Sequence, residues 1–89
     1  MKFIITVIGK DRVGIVADVS VICKDNNINI NDISQKVFDD TFAMVMEATI
    51  SDGSVVFSDI VDKLTKRGEE LGLKIHVMHE DIFRSMHRI

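Results

Sequence analysis

Apolar and polar residues alternate in four segments of the chain, and this period of two predicts four β-strands. The alternating segments cover residues 2–8, 28–38, 42–50 and 73–78. Two further segments repeat their apolar residues at helical spacing, one from Ile15 to about Asp25 and one from Ser54 to Leu71. The predicted order of elements is therefore strand, helix, two strands, helix, strand.

The boundaries of these elements are marked by glycine, asparagine and aspartate, since the chain has no proline. Asp25-Asn26-Asn27 is predicted to end the first helix, the break Ser51-Asp52-Gly53-Ser54 to supply the N-cap of the second, and Gly72 to end it. The turn at Asp39-Asp40 predicts a hairpin between the second and third strands. Within the second strand the alternation slips near Asn31-Asp32, which indicates a β-bulge.

This order predicts an α+β fold, the ferredoxin-like βαββαβ sandwich, in which a four-stranded antiparallel sheet carries two helices on one face. The other sheet face is predicted to be open, with apolar Ile4, Ile8, Val45 and Met78 on it. Residues 81–89 are predicted to form a short amphipathic C-terminal helix that docks on this face or on a partner subunit, through Ile82, Phe83, Met86 and Ile89. We therefore expect a homodimer or a higher homo-oligomer.

Length and composition limit the possible functions. The 89 residues are expected to form a single domain, 1–89, and the net charge of −3 argues against nucleic-acid or anionic-membrane partners. Too few aromatic residues lie on the strands for an RNA reader. No apolar run is long enough to span a membrane, and Cys23 is the single cysteine, so a cytoplasmic location is expected.

The segment with the most chemical information is Gly9-Lys10-Asp11-Arg12-Val13-Gly14, which we call the glycine loop (residues 9–14). It follows a strand and precedes a helix whose free N–H groups and positive dipole end can bind a carboxylate. Asp11 can either cap that helix or bind a ligand's ammonium group. A plain helix cap explains the same glycine spacing, so the spacing leaves both interpretations open.

The glycine loop with Ile15 and Val16, followed by Asn27-Ile28-Asn29-Ile30-Asn31-Asp32-Ile33-Ser34-Gln35, resembles the ACT domain, a small amino-acid-sensing module. The chain's ending resembles the short stand-alone ACT proteins of uncharacterised function. The resemblance implies a ligand pocket at a dimer interface, where the loop and an asparagine matching Asn29 bind an amino acid. The ligand-binding residues it implies, with neighbours that could supplement them, are Gly9, Lys10, Asp11, Arg12, Gly14, Ile15, Asn29, Ile30 and Asn31.

Other reactive residues give weaker signals. His76 and His79 should point to opposite faces of a strand, and His87 follows eight residues later, so no metal site is expected. Cys23 lies on the apolar side of its helix and is expected to be buried and inert. No cofactor motif is present, since neither GxGxxG nor a Walker lysine motif occurs.

The sequence thus predicts a regulatory module that binds an amino acid or a related small metabolite at a homodimer interface. A module that binds only an unidentified protein partner, with no small ligand, is the alternative. An enzyme is not expected, because Asp11 and Arg12 are the one plausible acid/base and anion-binding pair and no nucleophile accompanies them.

Overall fold

The computed structural model describes residues 1–51 and 53–86, and its element order matches the predicted one. Its elements are β1 (Lys2–Lys10), α1 (Ile15–Asp25), β2 (Asn29–Phe38), β3 (Thr41–Thr49), α2 (Phe57–Glu70), β4 (Lys74–His79) and α3 (Glu80–Met86). The strands form one sheet in the order β2-β3-β1-β4, and every neighbouring pair is antiparallel. The predicted ferredoxin-like sandwich is confirmed.

The core lies between the sheet and the two longer helices. Because side chains alternate along the central strands, every second one points into this core. Phe3, Ile5 and Val7 of β1 are fully buried. They meet the buried side chains of the remaining elements: Ile15, Val19, Ile22, Cys23, Phe42, Met44, Met46, Ala48, Ile60, Leu64, Leu73 and Ile75. The helical and alternating patterns therefore identified the core face of each element correctly.

The predicted β-bulge is present, because the register between β2 and β3 shifts between Ile30 and Asp32. Asn31 is the extra residue, and it restores the alternation of core-facing and open-face side chains after it. Ile30, Ile33 and Val37 all pair with core-facing residues of β3, although their sequence spacing would otherwise put them on different faces. The predicted turns are also confirmed, since Asn27, Asp39 and Gly72 have positive φ angles of 57°, 55° and 74°.

One predicted boundary is wrong. The N-cap expected within residues 51–54 is not used, because α2 begins at Phe57 and its N-cap is Val56, which makes no side-chain capping bond. Val56 instead uses its carbonyl, which accepts from the N–H groups of Asp59 and Ile60. Serine is the more common cap, but the apolar residues that must face the core begin at Phe57, and packing sets the start.

The short helix α3 begins one residue earlier than predicted and contacts β1 and β4. It lies on the predicted open face, as the burial of Ile4, which is only 3% exposed there, indicates. Phe83 is half-buried, whereas Ile82 is 54% exposed in the single chain, so of the two predicted positions for Ile82 only the contact with a partner subunit stays a prediction. The predicted contacts of Met86 and Ile89, and the position of His87, lie outside the described side chains. Among the described helices, none is long and apolar enough to cross a bilayer.

A test of the core is the contact between α2 and β4. A Cβ added at Gly68 would lie 2.7 Å from Ile75 Cγ1 and 2.9 Å from its Cδ1. We expect Gly68→Ala to destabilise the fold, because overpacking costs about 1–3 kcal/mol and exceeds a gain in helix propensity of about 1 kcal/mol. Urea unfolding followed by circular dichroism measures the change. In an Ile75→Ala background the same substitution should cost at most half as much, and an equal cost in both backgrounds would contradict this packing.

Candidate functional site

The glycine loop is fixed to two other parts of the fold. The Asp11 N–H donates to the carbonyl of Asp40, 2.7 Å away, which ties the loop to the β2–β3 turn. The Arg12 guanidinium forms an ion pair with Asp18 of α1 (Nη1 to Oδ2, 3.1 Å) and donates to the carbonyl of Leu71 (Nη2 to O, 3.3 Å), just after α2. Arg12 therefore holds the loop in place, and its charge is already matched by a carboxylate.

The start of α1 has the geometry of an anion site. Gly14 is the N-cap residue, in the left-handed conformation with φ of 90°, and no side chain of the described residues caps the helix. The N–H groups of the first turn therefore remain available to a carboxylate. A Cβ at Gly14 would meet no atom within 4 Å, so the space beside this helix end is open. The expectation that Asp11 caps the helix is wrong, and only its alternative role, with a ligand's ammonium, remains.

The other loop residues differ in what they offer. A Cβ at Gly9 would lie 2.6 Å from Leu73 Cδ2, so glycine is needed there for packing. The Ile15 side chain is in the core at 2% exposure, and only its backbone faces the helix end. Lys10 is exposed at the end of β1, and Val13 is 97% exposed, an unusual position for valine. The residues that can face a ligand are therefore Lys10, Asp11, Val13 and Gly14.

The asparagines form a second polar cluster at the start of β2. The Asn29 Nδ2 group donates to Asn31 Oδ1 at 2.7 Å, and the Thr49 hydroxyl donates to the same oxygen at 3.2 Å. Ile30 points to the other face and packs half-buried against the core. No described residue donates to the Asn29 side-chain oxygen, so that oxygen can accept a hydrogen bond from a ligand.

The structure does not bring these two clusters together within one chain. The glycine loop lies at the end of β1 where Lys10 pairs with Thr41. Asn29 lies at the other end of the sheet, because it pairs with Thr49, the partner of Lys2. Lys2 and Lys10 are the two ends of β1, which spans roughly 26 Å at about 3.3 Å per residue. A small zwitterion cannot contact both clusters of the same chain.

A groove of about 450 Å³ lies elsewhere, on the open sheet face beside α3. Apolar Ile4, Val45 and Phe83 line it together with polar and charged Asp32, Ser34, Glu47, Glu80 and Arg84. None of the predicted site residues lines this groove. The alternation places Ile4 and Val45 on the open face, and α3 lies on that face, one of the two positions predicted for the C-terminal helix.

His76, His79 and Cys23 lie outside both polar clusters. His76 pairs with Thr6 on the open face, whereas the His79 ring lies 6.4 Å from that of Phe57, on the helix side. In residues 1–51 and 53–86 no group of three or more His, Cys, Asp or Glu side chains could hold a metal ion. Burial raises the pKa of the Cys23 thiol to about 11, which makes it unreactive at neutral pH.

The sheet order, the two helices on one face and the open helix end after β1 define a small α+β domain of ferredoxin-like topology. A family model of the ACT domain matches residues 2–78, and the chain belongs to this family. ACT domains are regulatory modules that bind small ligands.

Relatives place the chain more narrowly. A UPF0237 protein of Methanocaldococcus jannaschii is 50% identical over 99% of this chain and 98% of its own length. A UPF0237 protein of Listeria innocua is 47% identical over the whole of both chains. Among solved structures, an ACT domain protein from Streptococcus pneumoniae is 38% identical, with a TM-score of 0.85 over 93% of each chain. The chain is thus a member of the UPF0237 group of short ACT proteins.

The conformation of Gly14 leads to a stability prediction. Gly14→Ala should destabilise the fold by about 1–2 kcal/mol, because an L side chain is strained in the left-handed region. Gly53→Ala is the matched control, since a Cβ there meets nothing within 4 Å and its φ is not in that region. This control should change stability by no more than about 0.5 kcal/mol. Equal losses for the two variants in urea unfolding would show that Gly14 is not held at positive φ.

Proposed function

We propose that this protein is a regulatory module that binds an amino acid or a related metabolite between two copies of itself. We further propose that it acts without catalysis of its own, in the cytoplasm. The observation that supports the shared site is the placement of the glycine loop and Asn29 at opposite ends of one sheet. Each cluster provides part of what a zwitterion needs, and two copies can combine them.

The ligand's carboxylate binds at the start of α1. The first-turn N–H groups are uncapped by described side chains, and the helix dipole favours a negative charge there. Gly14 leaves the approach open, and exposed Val13 offers an apolar contact for the ligand's side chain. Arg12 does not act as the carboxylate ligand, because Asp18 and the Leu71 carbonyl already hold its guanidinium.

The ligand's ammonium group needs acceptors. Asp11 is exposed in the glycine loop and its side chain offers oxygen acceptors. The Asn29 side-chain oxygen provides a second, neutral acceptor, oriented by the bond from Asn29 Nδ2 to Asn31 Oδ1. Both kinds of acceptor are needed within a few ångströms of the carboxylate site, since a small ligand is held by a few convergent polar groups.

Edge-to-edge pairing of two sheets brings Asn29 of one copy to the glycine loop of the other. β2 lies at the edge of the sheet, and nearly all of its ten residues are exposed. A two-fold axis perpendicular to the sheet pairs β2 with β2 of a second copy in antiparallel orientation. Asn29 of the second copy then lies at the end of the sheet where the glycine loop of the first copy is found. The dimer contains two such sites.

The composition of β2 supports this pairing. Exposed edge strands are usually protected by proline, short length, a β-bulge or charged side chains; β2 is ten residues long and has no proline, so its protection is limited to its bulge and charged side chains such as Lys36. Its core-side residues Ile33 and Val37 remain 39% and 48% exposed in the single chain. A second copy alongside β2 covers these side chains and satisfies the outer backbone groups of the strand.

Catalysis is not proposed, since Arg12, one member of the candidate acid/base and anion-binding pair, is already engaged. Arg12 forms its ion pair with Asp18, and the buried Cys23 thiol stays protonated. A ligand that binds the shared site instead stabilises the dimer, and a change in dimer shape or affinity is the regulatory output.

The experiment is a dye-reported thermal unfolding screen against amino acids and related metabolites. A ligand at 100 times its Kd should stabilise the protein by about 2.7 kcal/mol. For a domain of this size that is a shift of roughly 10–20 °C, at about 4–8 °C per kcal/mol. Asp11→Ala and Asn29→Ala should each weaken the affinity about 10- to 100-fold, because a hydrogen bond to a charged group contributes about 1.5–3 kcal/mol.

Asp25→Ala is the control, because it removes an exposed carboxylate of α1 outside both clusters and should leave the affinity unchanged. A selective shift that neither site variant reduces would contradict the site. No shift with any metabolite would favour the second candidate function, a module that binds only protein, for which the exposed Phe38 and the groove on the open face provide a surface.

A further inference from the structure

We propose that the open sheet face is a second self-association surface, on which β2 and β3 of another copy pack over β2 and β3 of the first, beside α3. This contact uses the open face, on which the Asn29 side chain also lies. Its basis is the order of charges along β2 and β3. When a two-fold rotation brings the open faces of two copies together, positive charges of one copy lie over negative charges of the other.

The open face has an acidic end and a basic end. At the end near α3, Asp32 of β2 and Glu47 of β3 are direct cross-strand partners on the same face. Two like charges directly opposite each other are destabilising. Lys2 lies 3.7 Å from Glu47, and no described cation is paired with Asp32, which accepts only the N–H of Ile33. This end of the face therefore favours an additional cation.

At the opposite end, near the β2–β3 turn, the same face carries Lys36 and Phe38. The Lys36 ammonium lies 5.1 Å from the centroid of the Phe38 ring, and the ring is 54% exposed. No carboxylate among the described residues pairs with Lys36. The hairpin end thus presents one cation and one aromatic ring, both available to another molecule.

The groove matches what the hairpin end presents. Its walls carry Asp32, Glu47 and Glu80 together with Arg84, which is paired with Glu80, and Ile4, Val45 and Phe83 provide apolar surface. The described residues of α3 pack over β1 and β4 and not over β2 or β3. The part of the acidic end that lies on β2 and β3 is therefore not covered by α3. Exposed Val45, at 39%, lies in this uncovered part.

The spacing along β2 makes the surface complementary to itself. On β2, Asp32 lies two residues before Ser34 and Lys36 two residues after it. On β3, Val45 is the partner of Ser34, with Ala43 two residues before it and Glu47 two residues after it. A two-fold axis that runs across the strands at the Ser34–Val45 pair therefore places Lys36 of each copy over Asp32 of the other. The contact is isologous, so each charge pair forms twice.

This face contact and the β2 edge pairing use different atoms. The edge pairing uses outward backbone groups of β2, whereas the face contact uses side chains on one side of β2 and β3. Both can form at once, and together they generate a tetramer with perpendicular two-fold axes.

The test is a charge exchange followed by sedimentation velocity at about 0.15 M salt, where screening acts beyond about 8 Å and leaves close pairs intact. One variant is Lys36→Glu and the other is Asp32→Lys with Glu47→Lys. Either variant alone places like charges together across the contact. Mixed with each other, they restore opposite charges at both contacts, because Glu at position 36 of one copy faces Lys at positions 32 and 47 of the other.

We expect the wild-type protein to sediment as a tetramer, each variant at half that mass, and the equimolar mixture as a tetramer again. Lys63→Glu on α2 changes the same charge on the other side of the molecule and should leave the tetramer intact. Circular dichroism confirms that each variant is folded.

A wild-type dimer that each variant converts to a monomer, and that mixing restores, would support the face contact and contradict the edge pairing required for the shared metabolite site. The same mass for the wild type and both variants would overturn the face contact, and so would a mixture that stays at the lower mass.

Discussion

The pairing of β1 with β3 is the interaction on which the rest of the structure depends. The two strands are matched residue by residue from Lys2–Thr49 to Lys10–Thr41, in the middle of the sheet. Because side chains alternate along both strands, this one register separates a closed face, filled by the helices, from an open face. The length of the pair also separates the glycine loop from Asn29, and this separation is the basis of the proposal that two copies share one zwitterion site.

Much of the fold could be predicted because its signals are local. Alternation gave the strands, helical spacing gave the core side of α1 and α2, and the slip near Asn31 gave the bulge. The left-handed residues Asn27 and Gly72 were also predictable, since asparagine and glycine tolerate positive φ. Where packing competes with local preference, prediction failed: the core contacts of Phe57 and its neighbours, not a serine cap, set the start of α2.

The candidate site was harder to predict, because its geometry depends on distant residues. The spacing of the glycine loop indicated a helix end but not that Arg12 is held by the Leu71 carbonyl, 59 residues later. It left open whether the glycines serve a ligand or a helix cap, and the structure adds a local reason for each: a Cβ at Gly9 would lie 2.6 Å from Leu73 Cδ2, and Gly14 has a positive φ angle. Sequence reasoning named Asn29 through a resemblance, but the strand register shows why the same chain cannot use it together with the loop.

The central claim is that one ligand site is built from two copies, and mixing two inactive variants tests it most directly. In a dimer of Asp11→Ala with Asn29→Ala, one site carries both defects and the other carries neither. Random exchange makes half of the dimers mixed, so about one quarter of the sites should recover wild-type affinity. Isothermal titration of the mixture should therefore show a tight-binding fraction that is absent from both variants alone. If the mixture shows only the weak affinities of its two components, the site does not lie between copies.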